Sequence, residues 1–246
     1  MSDLLVLNIG NTRTQLGIWR NDAVHETTTM PTASILGEEE WPEAIERYAS
    51  LPCAAASVVP AATARLASRF SADRLCLVKA ENIAGIDFSR VRAETVGADR
   101  LANVVAALHL FNPPLLVLDC GTAVTVEVVD GLRCFLGGAI LPGREMMRRA
   151  LHSHTAQLPY VPLTAEPPPD IGGHTEDAVR CGIDSGILGS VERLVSRARK
   201  AIHATDAPVI ATGGDADYFR VAFPHFIRAE KTFTLTGVGV VGQMCL

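Results

Sequence analysis

The chain has 246 residues, of which 48% are hydrophobic and 20% charged, so it can bury the core of one large domain or of two domains of about 120 residues each. Its net charge of −5 and its lack of a basic run argue against nucleic acid as a partner, because binding phosphate backbones requires clustered positive charge. The six scattered cysteines form no CxxC pair, so we predict no zinc site. Because we find neither a secretory signal nor a run of about 18 apolar residues, we predict a cytoplasmic protein without a membrane partner.

The first half of the chain is predicted to start with a hairpin and to continue with strands and helices. Residues 4–9 form a largely apolar run that ends at Gly10, which is typical of a buried strand followed by a turn. The Asn-Pro-Pro sequence at 112–114 ends the last helix, because the residue before a proline disfavours helical dihedral angles. The predicted strands are 4–9, 14–19, 54–59 and 75–78, and the predicted helices are 38–50, 61–70 and 97–111.

The pattern then restarts, which predicts an N-terminal lobe of residues 1–113 and a C-terminal lobe of residues 114–246. A proline-rich surface loop is predicted at 158–170, and glycines weaken the long helix that follows it. The predicted strands are 115–118, 124–129, 133–141 with a break at its two glycines, and 209–211, and the predicted helices are 142–151 and 175–201.

The beginnings of the two halves repeat each other. LLVLNIGNT at 4–12 matches LLVLDCGTA at 115–123 with a constant offset, so that Asn8 corresponds to Asp119 and Gly10 to Gly121. A repeat of this size indicates two similar α/β lobes. Because clefts between lobes commonly bind ligands, we expect a ligand-binding cleft between them.

Each repeated stretch has the composition of a phosphate-binding hairpin. A glycine in a tight turn lets the backbone approach a ligand, and the N–H groups of Asn11 and Thr12 can then point at an anion. The second copy adds the carboxylate of Asp119, and two opposed loops with a carboxylate for a cation are what a nucleoside triphosphate requires. Taken singly, either stretch is equally well interpreted as an ordinary β-hairpin.

Three further motifs allow a structural and a functional interpretation. Asp99 in GADR is most simply the cap of the helix at 97–111, and alternatively a general base next to Arg100. TGGD at 212–215 is a plain strand-to-helix turn or a surface for adenine or ribose, and GGAILPG at 137–143 is a packing constraint or a close approach to the nucleotide. The arginines at 144, 148 and 149 are interpreted as one solvated helix face, and the histidines at 152 and 154 lack the acidic neighbours of a metal site.

Together these motifs resemble those of the type III pantothenate kinase family. The resemblance runs through NIGNT, VGADRLAN, DCGTAVT, GGAILPG, HTAQLP, IGGHTEDAVRCGI, ATGGDA and TLTGVG, in this order along almost the whole chain. It implies two ribonuclease-H-like lobes of the acetate and sugar kinase, Hsp70 and actin superfamily. It also implies transfer of the γ-phosphoryl group of ATP to pantothenate, a requirement for Mg²⁺ and for a monovalent cation such as K⁺ or NH₄⁺, and a homodimer.

The resemblance also implies roles for individual residues. Asp99 would be the general base, Asp119 would coordinate the monovalent cation, and Thr175 would contact pantothenate. The residues implied in binding pantothenate are Gly97, Ala98, Asp99, Arg100 and Thr175. The residues expected to contact ATP are Asn8, Gly10, Asn11, Thr12, Arg13, Thr14, Gln15, Thr122, Gly213 and Gly214.

The sequence departs from the family pattern at three places. Asn8 stands where the family has an aspartate, the stretch 87–93 lacks a tyrosine and an Asn-Pro pair, and Cys181-Gly182 replaces Ser-Gly. Two alternatives to a pantothenate kinase therefore stay open. One is a weakened kinase-like protein that binds a nucleotide and has a regulatory role, and the other is a kinase of the same fold for another small hydroxy acid.

Overall fold

The computed structural model describes residues 3–37 and 40–246, and it divides the chain into two compact units. The first unit comprises Met1–Pro113, Leu132–Leu136 and Glu230–Leu246, and the second comprises Pro114–Gly131 and Gly137–Ala229. The strands are β1 (Leu4–Ile9), β2 (Arg13–Arg20), β3 (Ala23–Pro31), β4 (Cys53–Ser57), β5 (Leu75–Leu77), β6 (Leu115–Cys120), β7 (Ala123–Val129), β8 (Phe135–Pro142), β9 (Val209–Thr212) and β10 (Ile227–Arg228). The helices are α1 (Ala33–Leu36), α2 (Glu43–Glu46), α3 (Pro60–Arg69), α4 (Ala98–Leu110), α5 (Arg144–Ser153), α6 (Thr175–Arg180), α7 (Gly186–Ala201), α8 (Ala216–Ala222) and α9 (Phe233–Cys245).

The first unit is built on a five-stranded sheet in the order β3-β2-β1-β4-β5. Strand β1 is antiparallel to β2 and parallel to β4, and its nearly uninterrupted apolar sequence fits a central strand that is covered on both faces. Because side chains alternate along a strand, Leu4 and Val6 enter one core with α4 and α9, whereas Leu5 and Leu7 enter a second core with α1 and α3.

The second unit repeats this arrangement with the sheet order β10-β9-β6-β7-β8. Strand β6 is antiparallel to the following strand β7 and parallel to β9, as β1 is to β2 and β4. The prediction of two similar α/β lobes is therefore confirmed.

Helix α9 lies in the first unit, although the prediction assigned all of 114–246 to the C-terminal lobe. The helix is apolar on nearly all sides and packs on α4 and β1 of the first unit. The buried Thr234 hydroxyl of α9 donates a hydrogen bond of 2.7 Å to Asn103 Oδ1 of α4. A chain segment far away in sequence thus completes the core of the first unit, which a linear division of the chain cannot anticipate.

Several predicted elements have different bounds in the structure. The helix predicted at 175–201 consists of α6, a π-helical segment at Cys181–Ser185, and α7. The helix predicted at 38–50 is reduced to the four residues of α2, and residues 38 and 39 lie outside the described residues. Strand β8 continues through the glycine pair that was predicted to break it, with Gly137 at a φ of 85°. Strand β3 and helices α8 and α9 were not predicted.

Candidate functional site

The first predicted phosphate loop is the hairpin between β1 and β2. Gly10 N–H donates to the Arg13 carbonyl at 3.0 Å, and the side chains of Asn11, Thr12 and Arg13 are exposed at the tip. The oxygen Oδ1 of Asn8 is buried and has no hydrogen-bond donor among the described residues. The loop therefore presents exposed donors and one unpaired acceptor, which suits an anion accompanied by a cation.

Thr32 supports this hairpin and was missed by the sequence analysis. Its hydroxyl donates to the Gly10 carbonyl at 2.7 Å, and its backbone N–H donates to the Thr12 carbonyl at 3.0 Å. The hydroxyls of Thr32 and Thr14 are 3.1 Å apart, and both side chains are fully buried. Thr14 thus contacts the hydroxyl that binds the loop, and Gln15 pairs with Asn8 across the hairpin.

The second predicted phosphate loop, between β6 and β7, closes with a turn that is one residue shorter than the turn of the first loop. Gly121 N–H donates to the Ala123 carbonyl at 3.0 Å, and Gly121 and Thr122 are exposed. The Thr122 carbonyl accepts a hydrogen bond of 2.9 Å from Gly143 N–H at the start of α5. A Cβ atom at residue 143 would lie 2.6 Å from that carbonyl oxygen, so glycine is required for this approach.

The TGGD turn packs directly on the second loop. Gly213 has a φ of 90°, and a Cβ atom there would lie 2.5 Å from the Cys120 carbonyl and 2.6 Å from Asp119 Oδ1. Asp215 N–H donates to the same Cys120 carbonyl at 2.9 Å. Apart from the adjacent residues of the chain, no atom of the described residues lies within 4 Å of a Cβ built on Gly214, so this backbone is accessible to a ligand. The structure thereby brings together Asp119, Thr122 and the two glycines of the turn.

The GADR motif begins helix α4, but Asp99 is not its cap. Gly97 occupies the N-cap position and Asp99 is the second helical residue, so the interpretation as a cap is wrong. The Asp99 carboxylate accepts a hydrogen bond of 2.8 Å from the backbone N–H of Arg100. Burial raises the pKa of Asp99 above its ordinary value of 3.8, and the Arg100 N–H and charge oppose that rise only in part. A carboxylate of raised pKa is suited to accept a proton.

The interpretation of the arginines of α5 as a solvated face is also wrong for two of the three. Arg144 and Arg148 are only 2% and 1% exposed, and both donate to the fully buried carboxylate of Asp184 in the π-helical segment. Arg149 is exposed and pairs with Glu145 on the outer side of the helix. Residues four apart share a helix face, so Arg144 and Arg148 do lie together, but Arg149 lies on another face and the shared face is buried.

Thr175, the predicted substrate contact, is the first residue of α6 and lines a groove of about 810 Å³. The groove runs along α5, the segment that follows it, α6 and the π-helical segment, and its walls are mostly apolar. The other lining residues are Met147, Ala150, Leu151, His154, Leu158, Ala178, Val179, Gly182 and Ile183.

The stretch 87–93, which departs from the family pattern, is tied to the short segment Leu132–Leu136 within the first unit. Asp87 N–H donates to the Arg133 carbonyl at 3.1 Å, and Phe135 N–H donates to the Asp87 carbonyl at 2.9 Å. The rings of Phe88 and Phe135 meet edge to face at 6.0 Å between centroids. This stretch is therefore held in place by residues of its own unit ahead of Gly97.

The described residues contain no group of three or more His, Cys, Asp or Glu side chains that could hold a metal ion by themselves. Nor do they include a helix long and apolar enough to cross a membrane.

Comparison with known proteins identifies relatives along the whole chain. A family model described as type III pantothenate kinase matches residues 4–197. A type III pantothenate kinase of Kosmotoga olearia is 33% identical, with 96% of this chain and 94% of the relative covered. One of Cereibacter sphaeroides is 34% identical, with 98% of this chain and 97% of the relative covered.

Solved structures share the fold at low sequence identity. A Campylobacter jejuni protein named for the Baf family of transcriptional activators superposes with a TM-score of 0.66 at 18% identity, covering 96% of each chain. An inorganic polyphosphate/ATP-glucomannokinase of Arthrobacter sp. strain KM gives a TM-score of 0.51 at 14% identity, covering 99% of each. These likenesses support the α/β fold with two actin-like lobes. The family match and the relatives above 30% identity over nearly the full length show that the chain belongs to the type III pantothenate kinase family.

Proposed function

We propose that this protein transfers the γ-phosphoryl group of ATP to the hydroxyl of pantothenate, giving 4′-phosphopantothenate in the first step of coenzyme A synthesis. The observation that carries the proposal is the partly buried carboxylate of Asp99, whose pKa is raised by burial, in the first turn of α4. It occurs in a chain that belongs to the family and has two glycine loops with exposed backbone. The predicted cytoplasmic location stays a prediction.

Phosphoryl transfer requires positioning, neutralisation of charge and removal of one proton. We assign proton removal to Asp99, which accepts the hydroxyl proton as the oxygen bonds to the γ-phosphorus and ADP leaves. The first loop, residues 8–15, and Thr122 with the Gly213–Gly214 backbone would donate hydrogen bonds to the nucleotide. Residues 97–100 and Thr175 would hold pantothenate, with the guanidinium of Arg100 suited to its carboxylate.

The proposed cations are Mg²⁺ and a monovalent ion. Mg²⁺ is usually held by one or two protein oxygens together with substrate phosphates and water, and it neutralises charge that develops on the phosphoryl oxygens. The unpaired Oδ1 of Asn8 in the first unit fits such sparse coordination of Mg²⁺. We assign the monovalent ion to Asp119. An amide oxygen at residue 8 can still accept a water bound to Mg²⁺, but it attracts the ion less strongly than a carboxylate would.

We also propose a homodimer, on the family resemblance alone. Light scattering coupled to gel filtration would give the mass. A mass near 26.2 kDa at working concentration, which is that of a single chain, would refute it.

The test is detection of 4′-phosphopantothenate by mass spectrometry after incubation with ATP, Mg²⁺, K⁺ and pantothenate. Asp99→Asn should keep the melting temperature and lose turnover by at least about 100-fold, the usual range for removing a general base. Asp73→Asn, an exposed carboxylate of the same unit, is the matched control and should leave turnover unchanged.

Asn8→Asp distinguishes the remaining possibilities. Product from the unaltered protein establishes the kinase, and product only from Asn8→Asp means that the amide has disabled an otherwise complete site. ATP binding without product from either protein would favour a regulatory nucleotide-binding protein. Phosphorylation of another hydroxy acid in preference to pantothenate would favour the second alternative.

A further inference from the structure

We propose that Arg144 is a positioning residue for the nucleotide: through Asp215 it fixes the TGGD turn against the second phosphate loop. The inference rests on the proposed use of ATP, and it assigns a role to a buried side chain that does not itself touch the nucleotide. All the groups involved lie in the second unit.

The guanidinium of Arg144 has a partner for every donor direction. Its Nε and Nη2 bind the two carboxylate oxygens of Asp184 at 2.9 and 3.3 Å, and Nη2 also donates to the Thr164 carbonyl at 2.9 Å. Its Nη1 donates to both oxygens of Asp215, at 3.0 and 3.2 Å. The Cζ atom lies 3.3 Å from the ring centroid of Tyr218, so the planar cation is also stacked. Only a planar fork of five donors can make all these contacts at once.

Asp215 connects this cluster to the nucleotide motifs. It is the last residue of the TGGD turn, and its backbone N–H holds the Cys120 carbonyl at the end of β6 while its carboxylate is held by Arg144. Arg144 itself follows Gly143, whose N–H holds the Thr122 carbonyl of the second loop. Arg144 therefore follows directly on the residue that binds the second loop, and its side chain binds the TGGD turn.

The anchor of Arg144 is a buried ion pair. Asp184 is fully buried in the π-helical segment, a local departure from α-helix that frequently accompanies functional positions. Burial raises the pKa of Asp184, but its hydrogen bonds to Arg144 and Arg148 outweigh this and hold that pKa below its ordinary value of 3.8. The carboxylate is thus ionised at neutral pH and orients the guanidinium so that its Nη1 faces Asp215.

Arg148 provides a matched control within the same cluster. It lies one turn further along α5, is as buried as Arg144, and donates to Asp184 Oδ2 at 2.9 Å. The structure gives it no hydrogen bond or ion pair to Asp215. Arg144→Lys and Arg148→Lys should therefore lower the melting temperature to a similar degree, because each leaves Asp184 with poorer partners in a buried site.

The experiment measures the Kd of a fluorescent ATP analogue without pantothenate, and the KM for ATP and for pantothenate in turnover. Arg144→Lys should raise the Kd and the KM for ATP about tenfold and leave the KM for pantothenate within about twofold. Arg148→Lys should leave the Kd for ATP within about twofold. Asp215→Asn, at a residue whose side chain is 25% exposed and which is therefore less critical for folding, should reproduce the effect of Arg144→Lys. The double variant that combines Arg144→Lys with Asp215→Asn should have a Kd for the ATP analogue no higher than that of either of these two single variants.

Equal losses of ATP affinity in Arg144→Lys and Arg148→Lys would overturn the proposal, because they would indicate general loosening of the unit. Unchanged ATP affinity in Asp215→Asn would also overturn it. If the unaltered protein binds ATP but does not phosphorylate pantothenate, only the proposed function fails and the binding comparison still decides the role of Arg144. Absence of ATP binding would refute both.

Discussion

Helix α9 packs on α4 through Gly237, and Gly237→Ala should separate the two helices. A Cβ atom at this position would lie nearest to the carbonyl oxygen of Ala102 and 2.6 Å from its carbonyl carbon, and these are backbone atoms that cannot rotate away. To reach an ordinary contact of 3.4 Å with that carbonyl carbon, the backbone of α4 must recede by at least about 0.8 Å.

The cost of this separation can be estimated. Overpacking against backbone should cost about 3 kcal/mol, and strain on the Thr234–Asn103 hydrogen bond about 1 kcal/mol more. The better helix propensity of alanine offsets about 1 kcal/mol. We therefore expect a net loss of about 3 kcal/mol, which lowers the melting temperature of a chain of this size by about 6–12 °C.

The assay is thermal unfolding by calorimetry, with Gly189→Ala as the control. Gly189 lies inside α7, and outside the backbone of that helix a Cβ atom there would meet no atom of the described part of the chain within 4 Å, so alanine should raise the melting temperature slightly. Because α4 carries Asp99 in its first turn, Gly237→Ala should also lower kcat when kcat is measured at temperatures well below the melting temperature of the variant. A melting temperature for Gly237→Ala equal to or above that of the unaltered protein would refute the packing argument.

Two further predictions follow from single groups. Because burial raises the pKa of Asp99 in the free protein, this base stays protonated up to a higher pH, so kcat/KM should rise with pH through a midpoint above 3.8. A pH profile of kcat/KM checks this, and a midpoint at or below 3.8 contradicts it. Thr32→Val removes the hydroxyl that donates to the Gly10 carbonyl and faces Thr14, so it should lower the free energy of unfolding by about 1 kcal/mol and raise the KM for ATP. Denaturant unfolding and steady-state kinetics check these two effects. An unchanged KM would mean that the first loop keeps its shape without Thr32.

The parts of the fold that are fixed by local sequence were predicted well. The strands that became β1 and β6 are apolar runs that end at a glycine, and the pairing of each with the next strand follows from a short turn. The repeat of LLVLNIGNT as LLVLDCGTA carried this prediction from one lobe to the other. The resemblance to the family grouped Asp119, Thr122 and Gly213, and the structure places all three at the ends of strands of one sheet.

The errors arose where the partner is distant in sequence. Arg144 and Arg148 look like a solvated face because their counterion, Asp184, lies about 40 residues further along the chain, in a segment whose π-helical turn has no local signature. Helix α9 was not predicted, and its apolar sequence does not reveal that it joins the first unit. Thr32 was missed because it lies 22 residues from the glycine whose carbonyl it binds.

The two repeated loops join equivalent strands, but their turns differ by one residue and they are supported and charged differently. The carbonyl of Gly10 is held by a side chain, the hydroxyl of Thr32, whereas the carbonyls of the second loop are held by the N–H groups of Gly143 and of residue 215. The second loop is thus built into its surroundings through backbone that few substitutions can alter. It also keeps the carboxylate of Asp119, while the first loop has the neutral Asn8, with an unpaired buried oxygen. Replacing a carboxylate by an amide lowers cation affinity and also removes a negative charge that would repel phosphate. Under the proposed function, asparagine at residue 8 would therefore weaken one contribution to ATP binding and relieve a cost at the same position, and comparing ATP affinity in Asn8→Asp with that of the unaltered protein would show which effect is larger.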